Sequence, residues 1–168
     1  MRPDTTTPRR RQRGSYAVEF AIIFPVLFGL VYALLSYGLV VSVRLYLQYA
    51  AEEGARAGLR YQVVSTGSQL PARITASQTV ARNLLGWLPA PPQVQARVCR
   101  QDANVCTDGA LPVTCGWQMS QACRMEVTVT YDYAGAPIAP ALPGFGLLMP
   151  STVVGQASVM LDGRALGS

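Results

Sequence analysis

From Phe20 to Val43 the chain runs for 24 residues without one Asp, Glu, Lys or Arg, and no other feature constrains its fold as strongly. At about 1.5 Å of rise per residue such a run makes roughly 36 Å of helix, enough to cross a hydrocarbon core of about 30 Å with some tilt. Inside lipid a single segment satisfies its own backbone hydrogen bonds only as an α-helix. The flanks of the run are unequal. Arg2, Arg9, Arg10, Arg11 and Arg13 stand before Gly14, opposed only by Asp4. Arg44, Arg56 and Arg60 follow the run, with Glu52 and Glu53 among them. The positive-inside bias therefore predicts residues 1–14 in the cytoplasm and residues 44–168 across the membrane.

One carboxylate, Glu19, stands at the mouth of the run, five residues after Gly14. Near a bilayer centre such a charge costs about 2.5–3.5 kcal/mol even on lenient insertion scales, so it needs a partner or a task. An ordinary single-pass anchor accounts for the arginines and the span but gives no reason for Glu19. A cleaved secretory signal would use the small-x-small triplet Ser36, Tyr37, Gly38, yet apolar residues continue past it to Val43. Nothing after Arg9 and Arg10 completes a twin-arginine export consensus. A basic leader, a glycine and a glutamate at the fifth place of an apolar helix resembles the pattern read by prepilin peptidases. Cleavage after Gly14 would free an α-amine on Ser15, with an ordinary pKa of about 7.7–8.0. That ammonium on one subunit could pair with Glu19 of a neighbour inside an apolar bundle. Stranding one member of a buried pair costs about 3–5 kcal/mol, whereas the intact pair mainly fixes register.

Charge and composition exclude several function classes. Residues 1–14 hold five arginines and one aspartate, so the net charge falls from +5 to +1 without them. The basic pI of 9.3 belongs to the leader and is not a nucleic-acid footprint. All fourteen basic residues are arginine, and there is no histidine to act as a base. No Gly-rich phosphate loop follows a strand pattern, and no G-x-S-x-G motif or metal-ligand cluster occurs. The expectation is a non-enzymatic protein without catalytic residues, metal or cofactor.

Four regions separate along the chain. Residues 1–14 read as a polar leader, and residues 15–61 as one long helix whose membrane span is 20–43. Pro25 removes one backbone bond within the first turns and should bend that helix. In the polar half, Ala50, Gly54 and Gly58 fall on one stripe, with Ala51 and Ala55 beside them. Small residues at four-residue spacing let another backbone approach closely, which offsets the roughly 1 kcal/mol each glycine costs in helix propensity. Residues 62–168 read as a head. After a Ser65–Ser68 connector, Pro71 to Leu88 keeps a 3.6-residue period through Ile74, Ser77, Val80, Ala81, Leu84, Leu85 and Leu88, with Arg73 and Arg82 off the stripe. The Pro-rich string from Pro89 ends that helix. The period then changes to two. Val94, Ala96 and Val98 alternate with polar residues, and so do Met125, Val127, Val129, Tyr131 and Tyr133. A last strand is predicted over Thr152–Leu161, after a Pro- and Gly-rich surface loop from Ala134 to Pro150. The fold expected is α+β: a long helix, then a second helix on a small antiparallel sheet of about three to four strands.

Cys99, Cys106, Cys115 and Cys123 are the only cysteines. An even count in an exported segment favours two disulfides. Their spacing has no close C-x-x-C pair and no histidine, unlike a structural zinc site. Three connectivities are open. Strand parity sets Cys99 on the face opposite Val98 and Cys123 on the face of Met125. This disfavours a Cys99–Cys123 rung and tilts toward Cys99–Cys106 with Cys115–Cys123. Trp117 and Met119 inside the stapled loop read as packing more readily than as a binding site.

Gly14 and Ser15, the string Val18, Glu19, Phe20, Ala21 with Pro25 and Leu27, and the run Ala50–Arg56 together resemble the TadE-like minor pseudopilins of the tight-adherence (Tad/Flp) pilus, a branch of the type IV pilin superfamily. The resemblance covers about residues 14–60. It implies cleavage between Gly14 and Ser15 by an inner-membrane prepilin peptidase, with Glu19 serving processing or assembly. It implies an inner-membrane subunit with a periplasmic head, assembling with other Tad pilins and their membrane platform in adherence and biofilm formation, and possible incorporation in the extracellular pilus. The expected partners are these proteins and membrane lipid, with no nucleic acid. Ser15 departs from the phenylalanine or methionine common at the mature N-terminus of better-known type IV pilins. A type II secretion pseudopilin, or a single-pass anchored protein with a periplasmic domain, shares much of the pattern and differs mainly in partners.

Overall fold

The computed structural model describes residues 13–60, 62–63, 69–102, 105–109, 113–116, 118–139 and 149–161. The leader to residue 12, the Ser65–Ser68 connector, Trp117 and residues 140–148 of the expected loop lie outside the described residues, as does the side chain of Met119. The elements are α1 (Arg13–Ala57), α2 (Leu70–Leu84), β1 (Gln93–Arg100), β2 (Cys106–Thr107), a 3-10 turn (Met119–Gln121), β3 (Cys123–Asp132) and β4 (Thr152–Leu161). The chain divides into two compact units, Met1–Gly38 and Leu39–Ser168.

In the first unit α1 runs without interruption through Pro25. Its large apolar side chains point outward; Phe20 and Leu34 are each 66% exposed. Aromatic rings four residues apart stack along one face, Phe20 on Phe24 at 5.3 Å and Phe24 on Phe28 at 6.0 Å between centroids. By length and composition α1 is the one described helix able to cross a membrane. An apolar surface on all sides suits a solvent that is itself apolar.

The second unit is a two-layer α+β head. Within this unit, burial on α1 begins at Val43 and recurs at Leu47, Ala50, Ala51, Gly54 and Ala55, a stripe with helical period. The four strands form one antiparallel sheet in the order β2-β1-β3-β4. On β3, Cys123, Met125, Val127, Val129 and Tyr131 are buried, the face that the two-residue alternation predicts. Val94, Ala96 and Val98 of β1 and Val153 and Leu161 of β4 join the same core as Leu47, Ile74 and Leu85. Both helices thus cover one face of the sheet.

Several details depart from expectation for physical reasons. The helix α1 ends at Ala57, not residue 61. Gly58 donates to the Gly54 carbonyl, and Leu59 and Arg60 then bond Arg56 and Ala57 at the tighter three-residue spacing. The same tightening ends α2 at Leu84, four residues early, with Leu85 bonding Arg82 and Leu88 bonding Leu85. Arg73 is not off the buried stripe: it is 2% exposed, in line with Ser77 and Ala81 at four-residue spacing, and its Nη2 donates to Gln69 Oε1 at 3.1 Å. Strand β2, only two residues long, carries no period that a sequence could reveal.

Two residues on β4 tie the layers together. A Cβ on Gly155 would lie 2.6 Å from both the Gln48 nitrogen and the Leu47 oxygen, so the strand touches the backbone of α1 itself. Beside it, the Gln48 side chain brackets the neighbouring peptide unit. Its Nε2 donates to the Gln156 carbonyl at 2.7 Å, and its Oε1 accepts from the Gln156 N–H at 3.1 Å. Strand β4 is an edge, and an amide side chain here occupies the place of a further strand.

Two outcomes are expected. Gly155→Ala should destabilise the head by about 1–3 kcal/mol, because the obstacle is backbone and cannot rotate away. Gly38→Ala, with nothing within 4 Å of its added Cβ, should not lower the stability of the detergent-solubilised chain in urea. The second concerns Tyr131, which is fully buried and donates its hydroxyl to the Ala136 carbonyl at 2.6 Å. Burial pushes its pKa above the ordinary value. The folded state therefore holds this proton more tightly than the unfolded chain. Its contribution is complete below the ordinary pKa of about 10 and is lost as pH rises through the raised folded value. Tyr131→Phe should remove that part of the alkaline instability in a pH series of unfolding curves.

Candidate functional site

The expected processing and assembly residues lie along one continuous helix. Gly14 and Ser15 fall in the first turn of α1, and Glu19 follows one turn after Ser15 on the same side. Glu19 is exposed. Helical side chains lean toward the N-terminus, so this carboxylate leans toward the turn of Ser15. Phe20, Phe24 and Phe28 begin their stack one residue later. The arrangement is a lone acid at the rim of an aromatic, apolar rod. It suits recognition or charge pairing.

The small-residue stripe stands at the far end of the same helix, and the head fills it. A Cβ on Gly54 would lie 2.9 Å from the Ser77 carbonyl oxygen and 3.1 Å from the Ala81 Cβ. On Gly58 it would lie 2.5 Å from Ser77 Oγ and 2.7 Å from Met125 Cε. Ala50 is fully buried beside them. Ser77 stays compact in this crossing because its hydroxyl donates to the Arg73 carbonyl of its own helix at 2.9 Å. Thus α2 packs on α1 with its backbone against Gly54 and the Ser77 side chain against Gly58, with β3 beneath. Glu53 and Arg56 pair at 3.0 Å on the outer side, an exposed pair that adds little stability.

The cysteines form two bonds, Cys99–Cys106 and Cys115–Cys123. The first joins directly opposed residues of β1 and β2 and so holds the two-residue strand on the sheet edge. The second ties residues 113–116 to the start of β3, where Gly116 also donates to the Gln121 carbonyl. Cys99 is buried although it faces away from Val98, because the disulfide and Glu126, 3.4 Å from its sulfur, share that side. Ligand atoms of Cys99, Cys106 and Glu126 lie within 4.8 Å of one another. With both sulfurs in a disulfide, this group has no thiolate to offer a metal.

Sequence reasoning missed Gln48 and Gly155. The only signal was a glycine inside a strand pattern, which marks close backbone approach.

Residues 14–56 match the family model described as TadE-like protein. The match begins at Gly14, spans Glu19, Pro25, Ala50 and Gly54, and ends one residue before α1 does. It covers about a quarter of the chain and none of the sheet. No curated protein matches the chain, and no solved structure matches it. The helix is therefore TadE-like on the residues that carried the resemblance, and the family is associated with the Tad pilus. Among the described residues, the one long apolar helix fits a single-pass membrane anchor by length and composition.

Alkylation of the unreduced chain should leave all four cysteines unlabelled, whereas reduction should expose them. Replacing Cys115 and Cys123 together with serine should lower stability by about 2–4 kcal/mol in chemical unfolding.

Proposed function

Starting from this TadE-like helix, we propose that the chain is a minor pilin or pseudopilin subunit of a tight-adherence (Flp, type IVc) pilus. It inserts in the inner membrane with residues 1–14 cytoplasmic and the head periplasmic. A prepilin peptidase hydrolyses the Gly14–Ser15 peptide bond; water supplies the Gly14 carboxylate and the free Ser15 amine. The new ammonium then pairs with Glu19 of a neighbouring subunit, and Pro25 bends the helix between that contact and the head. Assembly with other Tad pilins and their inner-membrane platform serves adherence and biofilm formation.

The observation that carries this reading is the joint presence of Gly14, Glu19 and the TadE-like match on one uninterrupted helix. An ordinary anchor needs the span but not the acid. The occupied stripe at Gly54 and Gly58 adds a restriction: contacts between subunits must use the other faces of α1.

Intact mass of the membrane-extracted protein should correspond to a chain beginning at Ser15. A chain still beginning at Met1, or cut near Leu39, would contradict the processing step. Glu19→Ala makes the rod more apolar, so insertion should persist while assembled pili disappear from electron micrographs. Normal pili in that variant would leave Glu19 without an assembly role.

A further inference from the structure

The two helices of the head run in opposite directions along their contact. Gly58 meets Ser77, Gly54 meets Ala81, and Tyr46 meets Trp87 edge-on with ring centroids 5.5 Å apart. The turn after α2 is thereby returned to the end of the head where α1 enters it. Trp87 stays 50% exposed there and Tyr46 54%. The exposure of Trp87 is imposed by its neighbours: Leu85 and Leu88 on either side are buried in the core. Leu84 and Tyr49 are exposed on the same two elements, and Arg44 is an exposed cation one half-turn before Tyr46.

The sheet brings the start of β4 to the same end. Gly155 of β4 lies on Leu47, and the β3–β4 register puts Asp132 opposite Thr152 beyond it. The sequence holds no Asp, Glu, Lys or Arg from Tyr133 to Leu161. Asp132 itself is exposed, with its Oδ1 accepting the Gly135 N–H at 3.1 Å.

We propose that this end of the head docks on the phospholipid surface, with Trp87 and Tyr46 seated among the headgroups and upper acyl chains. The proposal rests on the membrane reading above. What selects lipid as the occupant is continuity with the span. Tyr46 lies three residues past Val43, about 4.5 Å of helix rise, while the polar layer on each side of a bilayer is about 5–8 Å deep. A tryptophan and a tyrosine at that depth are the side chains that favour the interface, and Arg44, on the other side of the helix two residues earlier, supplies a cation at a similar depth.

The test uses the full chain carrying Trp117→Phe, so that Trp87 is the sole tryptophan. It is reconstituted in vesicles of phosphatidylcholine and phosphatidylglycerol, with part of the phosphatidylcholine brominated either near the glycerol or near the methyl end of its chains. Trp87 emission should fall by about half or more with the shallow bromines and less with the deep ones, and iodide should barely quench it. If the substitution disturbs folding, the difference between wild type and Trp87→Phe gives the same quantity. Free quenching by iodide with no response to bromine, in vesicles that keep the protein through a carbonate wash, would overturn the docking and leave the anchor standing. Shielding from iodide without any response to bromine would mean that another copy covers the surface, and would overturn it equally. Loss of the protein in the carbonate wash would remove the membrane reading and this proposal with it.

Discussion

The head depends on a backbone-to-backbone approach between the second half of α1 and its own sheet and second helix. Gly155 brings β4 against the main chain at Leu47 and Gln48, and Gly54 admits the Ser77 carbonyl at a distance no Cβ would tolerate. Leu47, Ala50, Ala51 and Ala55, each fully buried, fill the same seam. A small domain has limited core, so few of its contacts are expendable. Here Val43, Leu47, Ala50, Ala51 and Ala55 of the core are supplied by the second half of α1. The glycines are unfavourable for helix propensity, and close packing of the layers offsets that loss.

This changes how the TadE-like match reads. Its far end, past the apolar run, places Ala50, Ala51, Gly54 and Ala55 in the seam. The pattern therefore joins two different demands on one helix: a lipid-compatible rod with an acid near its start, and a small-residue surface on which a head can be built. The sheet needs only to present a buried face of suitable shape and a glycine where the helix touches. Many sequences meet that requirement, which is consistent with a match that stops before α2.

Much of the fold was legible because its signals are local. The alternation from Met125 to Tyr133 yields β3, and Thr152–Leu161 is observed as β4 with the expected bounds. The 24-residue uncharged run needs no tertiary information to be read as a helix. What the sequence did not reveal depends on distant partners. Strand β2 exists because Cys99 draws Cys106 to the edge, and Arg73 is buried in a stripe where a charge is not expected. The bracket of Gln48 on Gln156 joins residues 108 apart in sequence, and no period announces it. Of the candidate site, Gly14, Glu19 and the small stripe could be named from spacing. That the stripe is filled by α2 and β3 of the same chain required coordinates.

The unity of α1 and the head is tested most directly by native-state hydrogen exchange on the full chain in detergent, followed across low urea concentrations. Amides of Leu47–Ala57 should share one opening free energy and one urea dependence with the central amides of β3, because the seam cannot part without unfolding the core. If the helix amides exchange through a smaller, urea-insensitive opening while β3 remains protected, the head has a core of its own, and the close approach at Gly54 and Gly155 is not what holds it together.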